Sequence, residues 1–251
     1  MKNIFKIILF FFSVPLIAQD VGFSSILNAV YPDENSLKFH KTYIANTPKN
    51  TTYNINIVIY SKSKSKIKFN YVSNSFNEIV FSQVLDVPVE QNTGLDSRTE
   101  RFKGNINPYV IRRAPFKIFE IIKPINSNII ESSSNFSLVN IKIPIDKKIK
   151  TDKHKIDFTV SVDGKKFNLK LKINVHDVMI PDLDKSNFFY TNWFNLSKME
   201  EYHELERWSS EWYLMLDKYA KLMSYGRQNC VKIPGELIYL KNDEVFLDEK
   251  R

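Results

Sequence analysis

One cysteine, four histidines and six glycines in 251 residues exclude several kinds of protein. A lone thiol, Cys230, cannot close an internal disulfide, so the fold depends on its core rather than on covalent staples. Cys230 lies in an apolar strand candidate and is expected as a buried structural thiol. His40, His154, His176 and His203 are scattered, and none has a second histidine or cysteine at ligand spacing, so no metal and no cofactor is expected. No low-complexity tract and no long internal repeat occurs. Beyond residue 19, no apolar run approaches the roughly 20 residues of a membrane-spanning helix.

What is present suits a packed, exported protein. Hydrophobic residues make up 43% of the chain and aromatics 14%, enough for one large domain or two small ones. Lys2 and Lys6 flank the start of an apolar stretch over 7–12, which resumes at Val14 and ends in Leu16, Ile17 and Ala18. A charged start, a short apolar run and a small residue near its end mark a secretory signal peptide, 1–19, cleaved after Ala18 or Gln19. An uncharged run of about a dozen residues is short for a bilayer span, so a periplasmic or extracellular protein with no membrane attachment after cleavage is expected.

Cleavage removes two lysines and no acids, lowering the net charge from +8 to +6. The lysines cluster at 62, 64 and 66, at 147, 148, 150, 153 and 155, and at 165 and 166. Nucleic-acid binding calls for a basic face with interleaved aromatics or a recognition motif, and neither is present. The clusters are read as solvated lysines at turns and strand edges, where they discourage edge-to-edge pairing.

Between about Gln19 and Asp182 the chain reads as β. Residues 53–60 and 67–71 alternate apolar and polar side chains, with a Ser/Lys turn between them that reads as a hairpin. Residues 136–143 alternate again. Residues 156–162 and 167–175 are joined through Asp163 and Gly164, a pair suited to the two positive φ values of a type I′ turn. In the second of these strands Lys166, Asn168, Lys170 and Lys172 alternate with Phe167, Leu169, Leu171 and Ile173, so one face is wet and the other buried. Several such strands, with no helix among them, indicate an antiparallel β-sandwich over 20–182.

Pro181 punctuates the last strand, and a new pattern starts at about Ser186. Residues 188–194 form a strand candidate, 209–225 an amphipathic helix and 231–240 a second strand, the opening of a βαβ unit. Trp212, Met215, Tyr219 and Leu222, joined by Leu216 and Met223, make one apolar stripe, best used against a sheet. Ser209 or Ser210 is placed to cap the start, and Gly226 to end the helix in a left-handed conformation. The acidic run 200–206 reads as a solvated segment leading into this helix. Only 66 residues follow Lys185, whereas a (β/α)₈ barrel needs roughly 250, so a barrel begun here does not close within 251 residues.

The segments VPVEQNTGLDSRTE (87–100) and NPYVIRRAPF (107–116) are polar, turn-forming loops. With the IPID strand start (143–146), the VHDVMIPD exit (175–182), TNWF (191–194), WSSEWYLMLDKYAKLMSYGRQN (208–229) and VKIPGELI (231–238), the chain resembles the N-terminal part of glycoside hydrolase family 123-like secreted bacterial proteins. The resemblance spans about Asn54 to Leu240, and the order of the segments is its stronger part. It implies a β-sandwich followed by the first part of a (β/α)₈ catalytic domain, with a glycan as substrate, here N-acetylhexosaminides. It also implies an adjacent Asp–Glu pair in which the Asp orients the substrate's acetamido group and the Glu serves as acid and base. That pair belongs further into the barrel. The adjacent pairs available, Asp33 with Glu34, Asp243 with Glu244 and Asp248 with Glu249, lack the strand context, so no residue here is assigned the catalysis.

The resemblance also places Asn192, Trp193 and Phe194 at the C-terminal end of the first barrel strand, the end where barrel active sites are built. Trp193 stacking on a sugar and Asn192 binding a hydroxyl is one reading; packing between barrel and sandwich is the other. Arg227, Gln228 and Asn229 precede the second strand and are read as structural. Arg112 and Arg113 are read either as holding the two domains together through carboxylates such as Glu90, or as surface charges. The function expected is therefore the N-terminal part of a secreted glycan-degrading hydrolase, inactive alone, with a stand-alone carbohydrate-binding sandwich as the alternative.

Overall fold

The computed structural model describes residues 19–34, 37–61, 64–91, 101–102, 105–106, 108, 110–132, 134–192 and 194–230. The chain divides into two compact units, Met1–Ile180 and Pro181–Arg251. Residues 1–18 of the leader candidate 1–19, Trp193 and the strand candidate 231–240 lie outside the described residues.

The first unit is a two-sheet sandwich. One sheet orders β1 (Asp20–Ser24), β3 (Thr51–Tyr60), β10 (Phe136–Ile145), β5 (Val80–Val89) and β8 (Phe116–Pro124) as β1-β3-β10-β5-β8. The other orders β2 (Thr42–Lys49), β12 (Lys165–Met179), β11 (Lys153–Val162), β4 (Lys66–Ser73) and β9 (Ile129–Glu131) as β2-β12-β11-β4-β9. Two short strands, β6 (Arg101–Phe102) and β7 (Asn105–Ile106), pair with each other. The second sheet is mixed rather than wholly antiparallel, because β2 runs parallel to β12. Parallel neighbours need a long connection, and β2 and β12 stand at opposite ends of the unit's sequence.

Alternation decides which residues meet between the sheets. Ile55, Ile57 and Ile59 of β3 and Val139, Ile141 and Ile143 of β10 face Ile156, Phe158 and Val160 of β11 and Leu169, Leu171 and Ile173 of β12 in one buried cluster. Phe158 is held edge-on by Phe23 at 5.9 Å and Phe81 at 6.3 Å. The outer face of the first sheet has a second, smaller core: Val58, Val84, Phe136 and Leu138 are covered by Val30, with Leu37 and Phe39 packed against them. This covering makes β10 buried on both faces.

Gly22 allows β1 to sit under that covering segment. A Cβ there would stand 2.7 Å from the Phe39 Cα and the His40 N, and next door Phe23 N donates to His40 O at 2.9 Å.

The expected hairpin at 53–71 does not form. β3 belongs to the first sheet and β4 to the second, so the chain changes sheet between Ser61 and Ser65. Both residues are pinned to the segment preceding β10: Ser61 N donates to Asn135 O at 2.9 Å, Ser65 N to Ser132 Oγ at 2.8 Å and Ser132 N to Ser65 O at 3.0 Å. A period of two tells which side of a strand is buried and leaves the partner open. The hairpin at Asp163 and Gly164 does form, with φ of 49° and 89° and Val162 opposite Lys165, as a type I′ turn requires. The IPID segment closes β10 instead of opening a strand.

The second unit contains a 3-10 turn (Leu183–Lys185) and two helices, α1 (Leu196–His203) and α2 (Ser210–Tyr225). Among the described residues its core is Leu196, Met199 and Trp212, with Phe194, Leu205, Trp208, Met215, Leu216 and Tyr219 against them. Leu222, expected on the buried stripe, is exposed. Ser209 is the cap, its Oγ accepting from Trp212 N at 3.1 Å. Gly226 stays at φ −73°, and the left-handed turn falls one residue later, at Arg227 with φ 67°.

The described residues of 188–194 form no strand. Phe188 and Phe189 are 74% and 78% exposed, and the backbone bonds from 229–230 to the segment converge on one acceptor: the Asn229 and Cys230 amides both donate to Tyr190 O at 3.2 Å. A strand is defined by a ladder, and two bonds to one carbonyl are not one.

Candidate functional site

The acidic run 200–206 is solvated at Glu201, Glu204 and Glu206 and is in part helical. It carries the end of α1, whose Asn195 cap accepts from Lys198 N at 2.9 Å and whose last turn closes at Glu204 with φ 53°. Leu196 and Met199 bury its inner face. Glu200 projects from the same helix toward α2. Its Oε1 accepts from Arg207 Nε at 2.6 Å and from Trp212 Nε1 at 2.8 Å, and its Oε2 from Arg207 Nη2 at 3.0 Å. The Arg207 guanidinium holds the Glu200 carboxyl below its ordinary range, against the opposing effect of burial and with help from the Trp212 N–H. A fork-to-fork pair leaves Glu200 ionised and fully engaged, which suits a strut between helices and not a proton donor.

Beside this strut runs a surface groove of about 710 Å³, lined by Phe194, Asn195, Lys198, Met199, Glu201, Tyr202 and Tyr219. Phe194 and Tyr219 lie 5.1 Å apart, ring to ring, and Tyr202 stands 81% exposed at the rim. Lys198 Nζ donates to Glu201 Oε2 at 2.5 Å, and His203 Nε2 meets the Tyr219 hydroxyl at 3.0 Å. Aromatic walls with a few amide and charged groups suit a ring that is apolar on one face and hydroxylated at its edge. Among the described residues, no cluster of three His, Cys, Asp or Glu is arranged to hold a metal.

Of the three residues expected against a sugar, Phe194 lines the groove, Asn192 does not, and Trp193 lies outside the described residues. Asn192 is exposed; its Oδ1 accepts from the Tyr190 hydroxyl at 3.0 Å and its N donates to Gln228 Oε1 at 3.2 Å. Gln228 and Asn229 hold the 188–192 segment. Buried Gln228 also donates to Cys230 O at 3.0 Å, while Asn229 accepts from Tyr190 N at 2.8 Å and donates to Phe188 O at 2.9 Å. Arg227 donates to Pro181 O. Cys230, expected to be buried, is exposed, since the chain has just left its turn.

In the sandwich unit, Arg112 pairs with Asp33 and lies over the Tyr31 ring at 4.3 Å and the Phe116 ring at 5.3 Å. Arg113 and Glu90 are both exposed. Asp33, half of one adjacent Asp–Glu pair, is thus committed to an ion pair. The other two pairs lie outside the described residues.

The groove was missed in the sequence because α1 is short and strongly charged. Its signal was the Asn195 cap followed by Leu196 and Met199 at helical spacing.

No protein-family model matches the sequence, and no curated protein matches it. Among solved structures, a family 123 glycoside hydrolase from Clostridium perfringens, studied for glycolipid glycan hydrolysis, is similar with a TM-score of 0.66 at 16% identity. The match covers 84% of this chain and 37% of that one. PapD-like domain 7 of human CEP192 matches at a TM-score of 0.26 and 11% identity, over 64% of this chain and 87% of that one. A DUF4466 family protein from Parabacteroides merdae matches at 0.32 and 11%, over 62% and 44%. The first similarity alone is close enough to describe a shared fold: a mainly β chain with a two-sheet sandwich. A match over 84% of 251 residues is longer than the 180 residues of the first unit, so it reaches into the second.

Proposed function

We propose that this chain is the N-terminal part of a secreted, glycoside hydrolase family 123-like protein of glycan degradation, acting on N-acetylhexosaminides when complete and without turnover by these residues alone. The observation that carries the reading is the fold shared with the Clostridium perfringens enzyme, which extends past the sandwich and matches 37% of that enzyme's length. The chemistry of the described residues agrees with a lack of turnover. Glycoside hydrolysis asks for two carboxylates in contrasting environments, one of them able to give a proton. The carboxylate that lines the groove, Glu201, is bonded to Lys198, and Glu200 next to it in the helix is held ionised by Arg207.

The purified 251-residue chain, offered a chromogenic N-acetylhexosaminide, is expected to release no aglycone above the buffer control. Release abolished by a single carboxylate substitution in this chain would sink the reading. A second reading, glycan binding without catalysis, is favoured by the aromatic groove: titration calorimetry with N-acetylhexosamine oligosaccharides is expected to give weak binding, lost in Tyr219→Ala. Heat that is unchanged by that substitution removes the groove from consideration.

A further inference from the structure

Not all lysines of the sandwich sit at turns and strand edges. Strands β11 and β12 are the third and second of five in their sheet, so neither is an edge. Yet their outward face carries Lys153, Lys155, Lys166, Lys170 and Lys172, all exposed, and Lys68 joins them from β4 beside Ser161. The one carboxylate on that face of these two strands, Asp157, lies opposite Lys170 and is held by Lys155 at 2.6 Å.

Register sharpens the point. Lys155 stands directly opposite Lys172, a like-charge pair across neighbouring strands, which costs stability by itself. Two rows above, Thr159 donates to Asn168 Oδ1 at 3.3 Å. A shallow depression of about 400 Å³ opens there, with Thr42, Asn168 and Lys170 in its wall. On this face β11 carries no apolar side chain and β12 carries Val178 past its bulge, neither carries Phe, Tyr or Trp there, and Ile44 of β2 and Val72 of β4 stand exposed on the two flanks.

We propose that this face binds an acidic polysaccharide, a chain of hydroxylated rings bearing carboxylate or sulfate groups, laid along β11 and β12. Lysines two residues apart along a strand repeat at roughly 6.8 Å, and neighbouring strands lie about 4.8 Å apart, so the face is a flat grid of cations. Point charges on flexible stems accept anions of varied spacing, and Thr159 and Asn168 supply hydrogen-bonding groups for hydroxyls. Single-stranded nucleic acid is the poorer occupant, because its bases need aromatic platforms that β11 and β12 lack. A bilayer is poorer too, because the exposed aliphatics Ile44 and Val72 are separated by the lysine-bearing strands β12 and β11 and make no continuous apolar patch to insert. The inference needs neither the groove nor any turnover, and stands on the charge pattern of the sandwich.

The test uses the 251-residue chain and fluorescently labelled chondroitin sulfate, read by anisotropy over a salt series. Binding is expected to weaken steeply with salt, and unlabelled neutral dextran is expected not to compete. The quadruple variant Lys155→Ser, Lys166→Ser, Lys170→Ser, Lys172→Ser, with its far-UV spectrum unchanged, is expected to bind at least about tenfold more weakly, its log–log salt slope falling by roughly 0.7 per lost contact, as for other single-stranded polyanions. Asp157→Asn, which removes a negative charge and no lysine, is expected to bind roughly threefold more tightly, the size of a surface charge effect. Unchanged binding by the quadruple variant overturns the proposal. So does an equal loss in Lys117→Ser, Lys123→Ser on the other sheet, or tighter binding of a single-stranded oligonucleotide or of phosphatidylserine vesicles than of the polysaccharide.

Discussion

The two units solve the same problem, burying apolar surface, with very different resources. In the sandwich, long alternating strands lay isoleucines, valines and phenylalanines from two sheets into one cluster, and a covering segment makes a second layer over β10. Among its described residues the second unit buries the apolar side chains of Leu196, Met199 and Trp212, and it leaves Phe188, Phe189, Leu214, Leu222 and Tyr225 exposed. Its cohesion rests correspondingly more on polar contacts: Glu200 ties α1 to Arg207 and to Trp212, and Gln228 and Asn229 hold the 188–192 segment. Where apolar area is plentiful, packing sets the structure; where it is scarce, named hydrogen bonds do.

Three perturbations sharpen the contrast, and the chain has convenient reporters. All three tryptophans, at 193, 208 and 212, lie in the second unit, so indole emission follows that unit while far-UV dichroism is dominated by the strands. The largest effect is expected from Phe158→Ala, which empties the centre of the sandwich core and should cost about 3–5 kcal/mol, read as a lowered urea midpoint by dichroism. A loss under about 1 kcal/mol there would mean that the two sheets are not packed through Phe158.

Next comes Glu200→Ala, which strands the Arg207 guanidinium and the Trp212 N–H and should cost about 1–3 kcal/mol, read from indole emission. Acidity tests the same strut. Because folding lowers the Glu200 pKa, its contribution is fully present above the ordinary value of 4.5 and is lost as pH falls through the lower folded value. Wild type should therefore lose stability by indole emission below about pH 4.5, and Glu200→Ala should lack that loss. The sandwich carries the opposite dependence: burial, with Tyr43 beside it, pushes Tyr53 from 10.0 up to about 12. That contribution is complete below 10.0 and disappears as pH rises toward 12.

The smallest effect is expected from Gly164→Ala in the type I′ turn. No atom lies within 4 Å of the added Cβ, so the cost is that of φ +89° alone, about 1 kcal/mol. A loss much above that would show a neighbour the turn does not have.

Much of the fold was legible in the residues. Asp163 and Gly164 specified their hairpin because both positive φ values are a local property of two residues, and Ser209 marked the start of α2 for the same reason. The wet and buried faces of β12 followed from alternation alone. Of the candidate site, Phe194 was found and Tyr202, Lys198 and Glu201 were not, because a charged two-turn helix is weakly periodic and its acids looked solvated.

What the sequence determined by itself was local: turn type, helix cap, the side of each strand turned inward and the scarcity of metal-binding residues. What only the tertiary structure decided was partnership. It sent β3 and β4 to different sheets, set β2 parallel to β12, placed Lys155 against Lys172 on central strands and gave Glu200 to Arg207 and Trp212. The reason is physical: a residue's φ, ψ and polarity are carried by the residue and its neighbours in the chain, whereas the partner of a strand or a carboxylate is chosen by packing among groups far apart in sequence.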